Sequence, residues 1–176
     1  MTTFSNPAGT APAAAAEYTR ALLAVLGERD PLVVMTELVP WIEQQIRGLD
    51  PAVLRRPEAA GKWSVMEVVH HLADTELVYG FRVRMVLTQD TPPLQGYDQD
   101  TWARTFRYRE MPLPDVLAQL AVLRSANLRL LRGLEPEQWK RVGLHSERGL
   151  ESVEHIVRMI GGHDLVHRRQ IERILG

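Results

Sequence analysis

Residues 151–175 read ESVEHIVRMIGGHDLVHRRQIERIL. At about 100° per residue, Val153, Ile156, Val157, Ile160, Ile171 and Ile174 fall on one stripe, the face that an amphipathic helix buries. His163 and His167 fall on that same stripe. Their spacing puts two rings on one face about one turn apart, close enough for both to bind one ion at roughly 2.0–2.1 Å. Asp164 lies at the other edge of the stripe and Gln170 flanks it on the histidine side, while Arg158, Arg168, Arg169 and Arg173 point elsewhere. A pair of core histidines bonded to neighbouring groups is the competing reading. Two buried imidazoles need partners for several ring nitrogens, and a divalent metal backed by acceptors supplies them together.

Upstream, the chain offers this helix three long partners. Residues 114–132 carry Val116, Leu117, Leu120, Leu123, Leu128 and Leu131, with Gly133 placed to stop the helix. A helix over 64–87 opens on Ser64 and Glu67, a capping box in which each side chain satisfies the other residue's free backbone N–H. Asp30 and Pro31 open a helix that runs to about Arg47, with Pro40 as a potential kink. Shorter helical pieces are expected over 17–26, around Trp102 and over 135–139, with a loop from Gly48 to Lys62. Residues 1–16, rich in Thr, Pro and Ala, read as an irregular arm, and no segment reads as a strand. The expected fold class is therefore all-α: a four-helix bundle with an N-terminal arm and short extra helices, in which metal sites arise from side chains on facing helices.

The 176 residues fit one domain spanning 1–176, and 45% hydrophobic with 24% charged residues is the balance of a folding globular chain. Twenty-one basic against 22 acidic residues leave a net charge of -1, so no global field draws in nucleic acid or an anionic membrane. No apolar run approaches the roughly 18 residues of a membrane helix and no signal pattern opens the chain, so a cytoplasmic location is expected. The absence of cysteine removes thiolate ligands and a protein-borne thiol nucleophile. Any metal must then sit on His, Asp or Glu.

A third ligand should come from the 64–87 helix, where His70 and His71 are adjacent. The densest apolar stripe there is Val65, Val68, Val69, Leu72, Tyr79, Val83 and Val86. His71 lies on a polar arc beside it with Ser64, Glu67, Thr75 and Arg82, while His70 lies roughly opposite Leu72; His71 is better placed, but the wheel does not decide. Glu76 breaks the apolar stripe and needs a cation or a donor. It reads equally as a group behind a ligand, a fourth ligand, a catalytic base or an ion-pair partner of an arginine. His145, in a loop near Arg148, is a candidate catalytic residue able to reach substrate, and His155 points away from the metal stripe. A second apolar arc with Met66, Ala73, Leu77 and Phe81 suggests cover by the N-terminal arm or by a dimer partner.

Residues 63–76, WSVMEVVHHLADTE, resemble the second helix of the DinB-like superfamily, and residues 162–171, GHDLVHRRQI, resemble its last helix. Thr91 with Pro92, Tyr97 with Asp98, Trp102 and residues 6–9 (NPAG) are similar to the YfiT branch, which includes bacillithiol S-transferases. The resemblance implies a four-helix bundle, often homodimeric, in which three histidines bind nickel, zinc or another divalent ion, with manganese or iron as further candidates. It puts the first ligand on His71 and the others on His163 and His167. The chain departs from the branch at Asp164 and Gln170, where that branch is richer in histidine.

Three neutral imidazoles leave a divalent ion an open position, the arrangement of a catalytic site. The leading expectation is a transferase that joins a low-molecular-weight, bacillithiol-like thiol to an electrophilic small molecule, with Glu76 or Asp74 orienting ligands. The alternatives are a metal-dependent hydrolase of small esters or amides, with His145 and Glu76 as proton shuttles, and a non-catalytic, stress-related metal-binding bundle.

Overall fold

Helix α1 spans Pro12–Leu26 in a computed structural model that describes residues 12–176. Periodicity alone starts this helix near Glu17 and leaves 1–16 irregular. The alanines at 13–16 carry no pattern, but they are the strongest helix formers and follow a proline tolerated in a first turn. Residues 6–9 lie outside the described residues.

The next helices begin where their caps predict. Asp30 accepts the Leu32 N–H at 2.8 Å and opens α2, Pro31–Ile46, which continues through Pro40. Asp50 does the same for Ala52 and opens α3, Pro51–Arg55, a short helix inside the segment expected to be loop. In α4, Val65–Thr88, the backbone N–H of Ser64 donates to Glu67 Oε2 at 2.9 Å while Ser64 Oγ accepts the Glu67 N–H, completing the capping box. Asp98 caps α5, Gln99–Thr105. Helices α6, Leu113–Arg132, and α7, Pro136–Trp139, follow. Ser152 caps α8, Val153–Leu175, by accepting the His155 N–H at 3.0 Å.

The expectation of no strands is corrected. Strands β1, Pro93–Leu94, β2, Val142–His145, and β3, Gly149–Ser152, form one small sheet in that order. Strand β1 runs parallel to β2, with Leu94 opposite His145; β2 and β3 form a hairpin with His145 opposite Gly149. Gly149 sits at φ 79°, a conformation glycine adopts without a Cβ penalty.

Helices α2, α4, α6 and α8 form the bundle, and α1 lies along α8. Two apolar clusters fill its ends. Leu38, Ile42, Val68, Leu72, Leu120 and Ile171 belong to one, and Met35, Val83, Val86, Leu128, Ile156 and Ile160 to the other. Between them α4, α6 and α8 bury charged side chains. Buried Arg124 of α6 donates to the Met35 carbonyl of α2 at 2.9 Å, to Glu76 of α4 at 2.8 Å and to Asp164 of α8 at 2.5 Å, so one guanidinium ties all four helices at mid-height. The second arc of α4 divides: Met66 and Ala73 are buried, Leu77 and Phe81 exposed. Among the described residues no helix is long and apolar enough to cross a membrane.

Candidate metal centre

His71 from α4 meets His163 and His167 from α8 beside this polar layer. Their Nε2 atoms converge: His71 lies 2.9 Å and His167 3.1 Å from that of His163. Two nitrogens each roughly 2.0–2.1 Å from a common centre span separations of this size. All three residues are buried. Burial first, then the neighbouring imidazoles, hold His71 and His163 well below the usual histidine range, and burial lowers His167 to about 4. The rings are therefore neutral at pH 7, the form that offers a lone pair to a cation. His167 donates its Nδ1–H to Gln170 Oε1 at 2.8 Å, which leaves Nε2 as its free lone pair. This is the arrangement of a ligating histidine with an acceptor behind it. The donor set thus fits a divalent ion, and His71, His163 and His167 are the residues that could hold it.

The adjacent histidine of α4 is used differently. His70 stacks on Tyr108 with centroids 4.9 Å apart and planes at 16°, outside the three-nitrogen group. Trp63 packs against the His71 ring at 4.9 Å. Thr75, one turn beyond His71, brings its Oγ1 to 3.4 Å from His71 Nε2 and to 3.0 Å from the Tyr97 hydroxyl.

A cleft open to solvent borders His71 and His163. Its lining includes Tyr18, His71, Thr75, Arg82, Tyr97, His145, Glu147, Arg148 and His163. His145 therefore reaches the site, delivered by the end of β2 and not by an unstructured loop. Arg82 donates to the Gln95 carbonyl, and Arg148 is held by two bonds to Glu151 at 2.5 and 2.9 Å.

Glu76 is brought elsewhere. Its Oε2 accepts from Arg124 and its Oε1 from Asn127 Nδ2, both at 2.8 Å, so the arginine pairing accounts for its burial. It does not line the cleft. Asp74 accepts from the Tyr108 hydroxyl. Of the two expected catalytic side chains, His145 stands at the site and Glu76 stands in the structural layer beneath it. Asp164 belongs to that layer too, engaging Arg124 through both oxygens. Sequence reasoning did not assign roles to Gln170, Arg124, Arg82 or Arg148. Gln170 alone carried a local signal, its place three residues after His167 on the same face.

Comparisons place this geometry among known proteins. The DinB superfamily profile matches residues 42–171, a span containing all three histidines. YfiT of Bacillus subtilis, named as a candidate metal-dependent hydrolase, is 28% identical over 157 residues, covering 85% of this chain and 86% of the relative. A protein of Oceanobacillus iheyensis with the same kind of name is 31% identical over 111 residues, 61% of this chain. The chain spans 64% of that relative's length. The solved structure of YfiT, described as a probable metal-dependent hydrolase with an unusual four-helix bundle topology, is similar with a TM-score of 0.74. Its identity is 26%, over 81% of this chain and 84% of that one.

Proposed function

Because this chain belongs to the DinB superfamily, we propose that it is a metal-dependent enzyme in which His71, His163 and His167 hold a divalent ion, and that it transfers a low-molecular-weight thiol to an electrophilic small molecule. One observation carries the reading: three buried, neutral imidazoles converge through Nε2, and two of them, His71 and His163, line a cleft. An ion held by these residues would supply Lewis acidity, lowering the pKa of a bound nucleophile toward neutrality. The all-nitrogen set suits nickel or zinc, with manganese or iron bound less tightly in the first-row affinity order.

The chain's own residues do the rest. Trp63 and Gln170 fix the rings of His71 and His167. The Thr75 and Tyr97 hydroxyls, bonded to each other, offer polar groups beside His71, and Arg82 and Arg148 line the same cleft. A sulfur nucleophile must come from a cosubstrate, since the chain has no cysteine. We also expect a homodimer, which the exposed Leu77 and Phe81, one turn apart on α4, support.

The names of the relatives favour a second reading, hydrolysis of a small ester or amide. Metal-loaded protein assayed with a thiol plus monochlorobimane, against a panel of esters and amides, separates the two. Thiol-dependent conjugation lost in His163→Ala is the expected result; turnover that needs no thiol would establish the hydrolase instead.

A further inference from the structure

His145 has its proton position fixed by the backbone. Its Nδ1 accepts the Glu147 N–H at 3.1 Å. A backbone N–H only donates, so Nδ1 carries the lone pair, and in a neutral ring the proton sits on Nε2. That Nε2 is buried and has no partner among the described residues. The residue is 2% exposed, yet it lines the cleft that His71 and His163 also border.

The groups around the ring oppose a second proton. Burial is the largest influence, Arg148 and Arg82 act in the same direction, and the opposing pull of Glu151 and Glu147 is weaker, so the pKa falls to about 4. At neutral pH the Nε2 lone pair is already protonated, and the ring neither accepts a proton there nor carries a spare one. A buried donor without an acceptor costs free energy that a ligand can recover.

We propose that His145 is a positioning residue whose Nε2–H donates to an acceptor oxygen of the molecule in the cleft, a carboxylate in preference to a neutral carbonyl because Arg82 and Arg148 lie beside it. The substrate class is then a small thiol or electrophile carrying such an oxygen apart from its reacting atom. The inference rests on the metal-centre reading for where the reacting atom lies. The tautomer does not.

The test uses zinc-loaded protein and three small thiols, mercaptoacetate, 2-mercaptoacetamide and cysteamine, titrated calorimetrically. His145→Ala should weaken mercaptoacetate about tenfold, the amide by less, and cysteamine not at all, while His145→Gln restores much of the loss by returning a donor. Equal loss for all three thiols, or no loss for any, overturns the proposal. In metal-free wild type, imidazole nitrogen NMR should place the His145 proton on Nε2 across about pH 5 to 8; a proton on Nδ1 overturns it even if His145→Ala does not fold. Failure of wild type to bind zinc would sink the metal-centre reading alone, since the tautomer measurement needs no metal.

Discussion

Gln170 shows how much of the site rests on single side chains. Its Oε1 takes the Nδ1–H of His167 and so turns the other nitrogen toward His163. Gln170→Leu keeps the size but loses the acceptor, and metal affinity should fall about 10–100-fold in competition with a chelating dye. Unchanged affinity would show that the ring is oriented by packing alone. The titration of the rings gives a second expectation. Unfolded histidines take up protons near pH 6.5, whereas His145 and His167 do so in the fold only near 4, and His71 and His163 also lie well below the usual value. Between those values the unfolded chain binds more protons, so the metal-free protein loses stability as pH falls through that window. Asp164, pushed up by burial to about 6 despite Arg124, and Asp74, also raised by burial, act in the opposite sense over part of it. With His70 also lowered by burial, five rings outweigh two carboxyls, and the urea midpoint should drop between about pH 7 and about pH 5; a rise would contradict the neutral-ring account. His163 and His167 were legible because the flanking turns of α8, where Glu154, Arg169 and Glu172 are exposed and Ile156, Ile171 and Ile174 buried, mark one stripe that runs through both, even though 159–167 are buried throughout. The choice between His70 and His71 was not, because Val65, Met66, Glu67, Val68, Val69, His70, His71, Leu72 and Ala73 are all buried, and a helix covered on every side has no stripe to read.

Among the elements, α8 is positioned by two contacts of opposite character. The Arg124 guanidinium holds buried carboxylates on α4 and α8 at once. Removing the cation leaves both unpaired, so Arg124→Met should cost about 3–5 kcal/mol in chemical denaturation, and combining it with Glu76→Gln and Asp164→Leu should recover much of that loss. Full stability in the single variant would mean that the pairing does not tie the bundle. On its other side α8 touches α1 almost backbone to backbone. A Cβ added at Gly162 would meet the Leu22 carbonyl oxygen at 2.2 Å. Gly162→Ala must therefore push α1 away and should destabilise the fold by about 1–3 kcal/mol, read as a lower melting temperature. Caps and punctuation made most elements legible: Asp30 with Pro31, Ser64 with Glu67, and Gly133 mark real boundaries. The sheet was not legible, since strands of two and four residues are too short for alternation to rise above noise, and β1 is paired by β2 from about fifty residues away.

At the level of the molecule, the four-helix arrangement follows from patterns along single helices, while the cleft comes from segments that meet only after folding. Arg82 and Tyr97 reach it from α4 and the segment after β1, and His145 and Arg148 come from the β2–β3 hairpin. Local spacing carries no record of that meeting, which explains why the candidate ligands emerged from sequence and the cleft residues largely did not. The match to the DinB superfamily and the likeness to the YfiT structure agree with the bundle, and the metal-dependent description of that relative agrees with a metal site on the three histidines. The central claim is that His71, His163 and His167 together hold a divalent ion. Its most direct test is elemental analysis of wild type and of His71→Ala, His163→Ala and His167→Ala after loading with nickel or zinc and dialysis. About one ion per chain in wild type and a loss of most of it in each folded variant is the expected result; undiminished metal in the variants would contradict the account.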